Sequence, residues 1–152
     1  MALDSLPILQ AAESHAAASG YFERVNRHEP KNAPGNGLTA AIWVQGIRPA
    51  AQASGLAKTS AVLVVNVRLY TNMLADPQDL IDPNLVAATD GLMNAYNGDF
   101  TLDGLVRNVD LLAQFGEGLS ARAGYLEQDR KMFRVMTINL PLDINDVWTQ
   151  ST

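Results

Sequence analysis

The clearest hydrophobic pattern in the chain lies between Thr59 and Asn72. Ala61, Leu63, Val65, Val67 and Leu69 share one parity and all are apolar. Val62, Val64, Asn66, Arg68 and Tyr70 share the other, which begins apolar and turns polar. Period-two alternation with this many β-branched residues predicts a long strand, dry on one face and half covered on the other. It has the character of the central strand of a sheet.

The period changes elsewhere. Residues 4–19 predict a helix, capped by Asp4 or Ser5, with Pro7 in its first turn and Gly20 at its end. Ile8, Ala11, Ala12, His15, Ala18 and Phe22 would form a narrow, alanine-rich face. Residues 21–27 read as a short strand and 28–37, rich in Pro, Gly and Asn, as a loop. Residues 38–48 predict a strand ended by Pro49. The polar connection 50–58 joins it to the central strand as an extended hairpin. A second helix opens at Asp82 and Pro83, carries Leu85, Val86, Thr89, Leu92, Met93 and Tyr96 at helical spacing, and stops at Asn97-Gly98. Residues 102–113, 119–128 and 131–142 predict three more strands, with a glycine-bearing turn at 114–118 and a tight hairpin at Asp129-Arg130. Pro141 would end the last strand, and 143–152 would be a C-terminal tail holding Trp148.

The predicted order is α, β, β, β, α, β, β, β. This implies an α+β fold: a mainly antiparallel mixed sheet of about five to six strands, flanked by two helices gathered on one face. The other face or the edges then need a cover, and a neighbouring subunit is one. At 152 residues the expectation is a single domain spanning 1–152.

Composition narrows the chemistry. The absence of cysteine removes disulfides, thiolate metal sites and a cysteine nucleophile together. The net charge of −5, with no stripe of Lys or Arg, argues against a nucleic-acid groove. The first residues carry no basic stretch of the signal-peptide kind, and no run of about 18 apolar residues predicts a membrane span.

Few residues invite a chemical role. His15 and His28 lie on a helix and a loop without partner ligands, whereas a metal needs several ligands in one place. Residues 55–59, GLAKT, resemble a phosphate loop faintly, but Ala57 stands where glycine is required and a strand follows instead of a helix. Asp76, Asp79 and Asp82 lack the alternating pattern of a calcium loop, and Asp99 and Asp103 read as turn residues. Trp43 and Trp148 are the better candidates, since tryptophan is enriched where proteins meet, although Trp43 suits a core equally well.

Four segments in order carry a resemblance: HEPKNAPGNGLTAAIW at 28–43, VRLYTNM at 67–73, GLVRNVDLL at 104–112 and FRVMTINLPLDINDVW at 133–148. With them the chain, from about Leu3 to Gln150, resembles the tail terminator proteins of long-tailed, siphovirus-type phages infecting actinobacteria. The resemblance implies a non-enzymatic virion protein with no cofactor, no catalytic residue and no metal site. It implies a homohexamer ring at the head-proximal end of the tail tube, assembled in the host cytoplasm. Its implied partners are its own copies, the tail tube protein and the head–tail connector protein, with genomic DNA passing through the lumen and no membrane involved. An acidic ring would repel DNA from its wall.

The longest polar connections and the tryptophans supply interface candidates: His28, Glu29, Lys31 and Asn36 in the 28–37 loop, Gln52 and Lys58 in the hairpin tip, Gln114 and Glu117 in the later turn, and Trp43 and Trp148. Two other functions fit the same composition. One is a different ring protein of the head–tail junction, a head-completion or connector-adaptor subunit. The other is a small α+β enzyme or ligand-binding domain, which would need polar groups converging in an apolar pocket.

Overall fold

The computed structural model describes residues 3–27, 38–50, 57–72, 80–114 and 116–149. Its elements run α1 (Ser5–Ser19), β1 (Arg24–Asn26), β2 (Thr39–Pro49), β3 (Lys58–Asn72), α2 (Ile81–Gly98), β4 (Asn108–Val109), β5 (Ser120–Gln128) and β6 (Lys131–Thr149). The strands form one sheet with the order β1-β2-β3-β6-β4, and β5 also pairs with β6. Among the described residues the β1–β2 pair is parallel and the other pairs are antiparallel. The class and element order are those the sequence predicts.

Alternation makes β3 central. Ala61, Leu63, Val65, Val67 and Leu69 are completely buried against both helices, together with Ala40 and Ile42 of β2 and Ile138, Leu140 and Leu142 of β6. The helices supply Ile8, Ala12 and Ala16 from α1, and Leu85, Ala88, Leu92 and Tyr96 from α2. The alanines let α1 lie close, and the Tyr96 hydroxyl donates to the carbonyl of Ala12 at 3.1 Å, tying the helices together. Gly20 ends α1 in the left-handed conformation at φ 78°, which glycine adopts without strain.

Several boundaries differ from the sequence expectation. On α1 Ala12 is buried as expected, but the second buried alanine is Ala16, and Ala18 is exposed; on α2 Val86 is exposed and Ala88 takes its place. Asp82 does not cap α2. The helix starts two residues earlier, at Ile81 with Leu80 at the cap, and the Asp82 carboxylate instead accepts from Arg134 Nε at 3.0 Å. Asp4 occupies the cap of α1 without a side-chain hydrogen bond.

The largest corrections concern the last third. Residues 102–113 are not a strand: only Asn108–Val109 pair, with Asp143 and Leu142. Leu102, Asp103 and Gly104 all have positive φ, at 44°, 58° and 81°, so the chain turns where a strand would extend. The apolar residues that imitate a strand are anchors instead: Leu102 and Val106 insert into the core while Leu112 is 91% exposed.

Residues 143–149 are not a tail; they continue β6, because the first residues of β3 need a partner. Lys58 pairs with Thr149, Thr59 with Trp148 and Ala61 with Ile144. The irregularity between these pairs is absorbed at Asp146, which has φ 53° and donates its N–H to Ser60 Oγ at 3.1 Å. Pro141 therefore lies inside β6. On its far side β5 covers β6 as far as Asn139, and β4 begins at Leu142. The missing N–H of Pro141 falls in that gap, while its carbonyl accepts from Asp110 N at 2.9 Å.

Replacing Leu102 by alanine should lower the unfolding free energy by about 2–5 kcal/mol, the range for emptying a filled core site. Replacing Leu112 by serine should change it by less than about 0.5 kcal/mol. Urea titration of both variants measures this, and equal losses would contradict the loop geometry.

Candidate assembly surface

Every second side chain of the central strands points away from the helices. On β3 these are Val62, Val64, Asn66, Arg68 and Tyr70. Across from them lie Arg48, Gly46, Trp43 and Ala41 of β2 and Asp143, Pro141, Asn139, Thr137 and Val135 of β6. Ser120, Arg122, Gly124 and Leu126 of β5 extend the same face.

This outer face has an apolar patch at each end. Tyr70, Phe133, Val135 and Ala41 cluster at one end, with Trp43 and Leu126 partly covered beside them. The Tyr70 and Phe133 rings meet edge to face at 6.3 Å. Burial raises the Tyr70 pKa, and a hydrogen bond with Asn26 works against that rise. Ala50, Val62 and Val64 form the patch at the other end.

The middle of the face is polar and concave. Asn66, Arg68, Arg122, Ser120, Thr137, Asn139, Gln45 and Glu117 surround an open cavity of about 340 Å³. Arg68 is held on two sides. Its Nε donates to Thr137 Oγ1 at 3.1 Å, and its guanidinium carbon stands 5.1 Å from the centre of the Trp43 ring, a cation–π arrangement. Glu117 and Gly118 close one end of the cavity. Asn139 Nδ2 donates to the carbonyl of Gly118 at 3.2 Å, and Glu117 accepts from Ser120 Oγ at 3.1 Å and Arg122 Nη2 at 3.5 Å. At Gly116, with φ 140°, a Cβ would overlap the Arg48 guanidinium, so only glycine permits this approach.

Two buried carboxylates anchor the chain that leads to Glu117. Asp110 Oδ1 accepts from the backbone N–H of Gln114 at 2.8 Å. Asp143 Oδ2 accepts from Asn108 Nδ2 at 2.8 Å, while its Oδ1 is buried without a hydrogen-bond partner among the described residues. Burial raises the pKa of Asp143 and the neighbouring Asp110 charge adds to the rise; the Asn108 bond and the Arg107 and Arg48 charges oppose it. On the helix side, Asp99 shows the opposite behaviour. Its carboxylate accepts from the backbone N–H of Asp103 at 3.0 Å and lies 2.7 Å from His15 Nε2, and both lower its pKa.

The sequence candidates fall into three groups. Trp43, Gln114 and Glu117 lie on or beside the outer-face cavity: Trp43 under Arg68, Glu117 in the cavity lining, and Gln114 exposed on the chain that leads to it. Lys58 and Trp148 lie together at the opposite end of the sheet, where β3 begins and β6 finishes; Trp148 is 37% exposed. His28, Glu29, Lys31, Asn36 and Gln52 lie outside the described residues. Sequence reasoning missed Arg68, Arg122, Asn66 and Asn139 as a group, and the Asp110–Asp143 pair. The turn to polar residues in the second parity of β3 was the available signal. Among the described residues no three His, Asp or Glu side chains gather in a metal-binding group.

The pKa of Asp143 fixes a sign for pH dependence. A raised carboxylate pKa means the folded chain keeps its proton to higher pH than the unfolded one. Its stabilisation is complete below the ordinary value of 3.8 and is lost as pH rises through the raised value. Asp143→Asn should remove this component, so the melting temperature of the native chain relative to the variant should fall as pH is raised from 4 towards neutrality. A constant difference across a thermal-melt series in pH would exclude it.

No family model and no curated protein matches the sequence. Among solved structures, one similar chain is the PVC sheath/tube terminator of an extracellular contractile injection system, in its extended state, determined by cryo-EM. The identity is 10%, the TM-score is 0.45, and the match covers 100% of this chain. This chain spans 60% of the length of that protein. At 10% identity no residue-level contact transfers from that protein to this one.

Proposed function

We propose that this chain is a structural subunit of a phage-type tail, a tail terminator. In this reading six copies close into a ring at the head-proximal end of the tail tube. The ring stops tube polymerisation, offers the head connector a joining surface and lets DNA pass through its lumen. The activity requires surfaces and no catalytic group.

The resemblance in four ordered segments supports this reading, and those segments reach the working parts of the fold. Residues 39–43 lie in β2, 67–72 in β3 and 133–148 in β6, while 104–112 is the loop and β4 that cover part of the far side of β6. The observation that carries the proposal is the sheet boundary. Among the described residues β5, nine residues long, pairs on one side only, with β6. An unpaired strand of that length is a ready surface for another chain.

Light scattering over a range of concentrations, followed by co-sedimentation with purified tail tubes, tests the proposal. The expected species is roughly 100 kDa, six copies of the 16.4 kDa chain, either free or formed only at tube ends. A monomer that ignores tubes but binds portal-bearing heads would assign the chain to the head side of the junction instead.

A further inference from the structure

We propose that the outer side of β5 is a strand-addition site for an extended segment of a partner protein, and that the cavity beside it receives an Asp or Glu side chain of that segment. The inference goes beyond the ring: the occupant is not a copy of this chain.

The backbone argument comes first. Gln128 and Lys131 flank the two-residue turn Asp129-Arg130, whose φ values of 51° and 64° are those of a type I′ hairpin. The flanking pair exchanges both of its hydrogen bonds. Alternation from there turns the peptide groups of Ala121, Ala123, Tyr125 and Glu127 outward, away from β6. β5 contains no proline, no lysine and no bulge, the usual defences of an exposed edge.

The side-chain argument identifies the occupant. A strand added to β5 places alternate side chains on the face shared by Arg122 and Gly124. Gly124 leaves room there, since even a Cβ would meet only Val135, at 3.5 Å. That face opens into the cavity of about 340 Å³. Two guanidiniums line it, Arg68 and Arg122, against one carboxylate, Glu117, which accepts from Ser120 and, at 3.5 Å, from Arg122, so the lining keeps one net positive charge. The amides of Asn66 and Asn139 add donors. Arg68 is fixed by Trp43 and Thr137, whereas the Arg122 side chain is 83% exposed and holds Glu117 only through a long, solvated contact of 3.5 Å. A carboxylate between them would make charge-assisted hydrogen bonds, one partner preorganised. The rest of the chain is acidic, so the positive concavity selects a negative group locally.

The probe is a fluorescein-labelled peptide as long as β5, alternating threonine and valine with one central glutamate, measured by anisotropy against the full chain. Saturable binding is expected. The glutamine counterpart should bind about tenfold more weakly, the loss of one charge-assisted bond. Arg122→Gln should weaken the glutamate peptide by a similar factor and leave the glutamine peptide unchanged. Ala123→Pro takes away an outward N–H and none of the hydrogen bonds to β6, though its ring also stiffens the strand, and it should abolish binding of both. A glutamate peptide N-methylated at alternate residues should also fail to bind, which tests edge pairing without altering the protein. Equal binding of the two peptides, binding that survives N-methylation, or no binding at millimolar concentration would overturn the proposal. Self-association that Ala123→Pro abolishes would overturn it too, since a second copy would then take the edge. None of these peptide results bears on whether rings cap tail tubes.

Discussion

The pairing of β3 with β6 is the constraint on which the rest depends. It runs from Lys58–Thr149 to Asn72–Phe133, nearly the full length of both strands. With β2 on its other side, β3 has its backbone groups paired on both flanks, so its inner parity can be fully apolar and fully dry. That dry row is what both helices pack on. β6 must be long to match β3, and its length leaves a far side longer than one strand covers. Two elements share it: β5 along the hairpin half and the short β4 beyond Pro141. The loop from 101 to 119, with its left-handed turns and buried carboxylates, exists to bring β4 and then β5 to that side.

Periodicity made the helices and long strands legible because each pays its own way in burial: β3 alternates, and α2 carries its stripe. It misread residues 102–113 because a loop pinned by Leu102, Val106 and Val109 has the same spacing of apolar residues as a strand. Nothing in the residue types distinguishes an anchor from a pleat; the positive φ values at Leu102 and Asp103 are imposed by the surrounding fold. It misread 143–149 for the opposite reason. DINDVWT is polar enough to pass for a tail, yet Asp143 is buried and Val147 is nearly so, because the start of β3 demands a partner. The demand is tertiary and leaves no local mark.

The candidate surface was less legible than the fold. Trp43, Gln114 and Glu117 were found by residue type and loop position, and the structure brings them to one face. Arg68 and Asn66 were visible as the polar half of a strand parity, but that parity could equally have faced solvent. Arg122 and Asn139 become their neighbours only through the β5–β6 and β3–β6 registers. The Asp110–Asp143 pair joins residues 33 positions apart through β4, which pairs over only two residues.

The edges of the sheet are not defended alike, and the difference has a physical meaning. At the β1 side the edge strand is three residues long, β2 carries an irregularity between Val44 and Gly46, and Pro49 ends it. Short length, bulge and proline all discourage pairing with another chain. β5 is regular, nine residues long and charged only at Arg122 and Glu127. Its turn sets a single register with β6, so its outward groups are presented in a fixed pattern. Selection against aggregation acts on both sides of one sheet in the same molecule. An edge left regular beside one that is interrupted is therefore best explained by use, and the positive concavity next to it, in an acidic chain, indicates what kind of segment uses it.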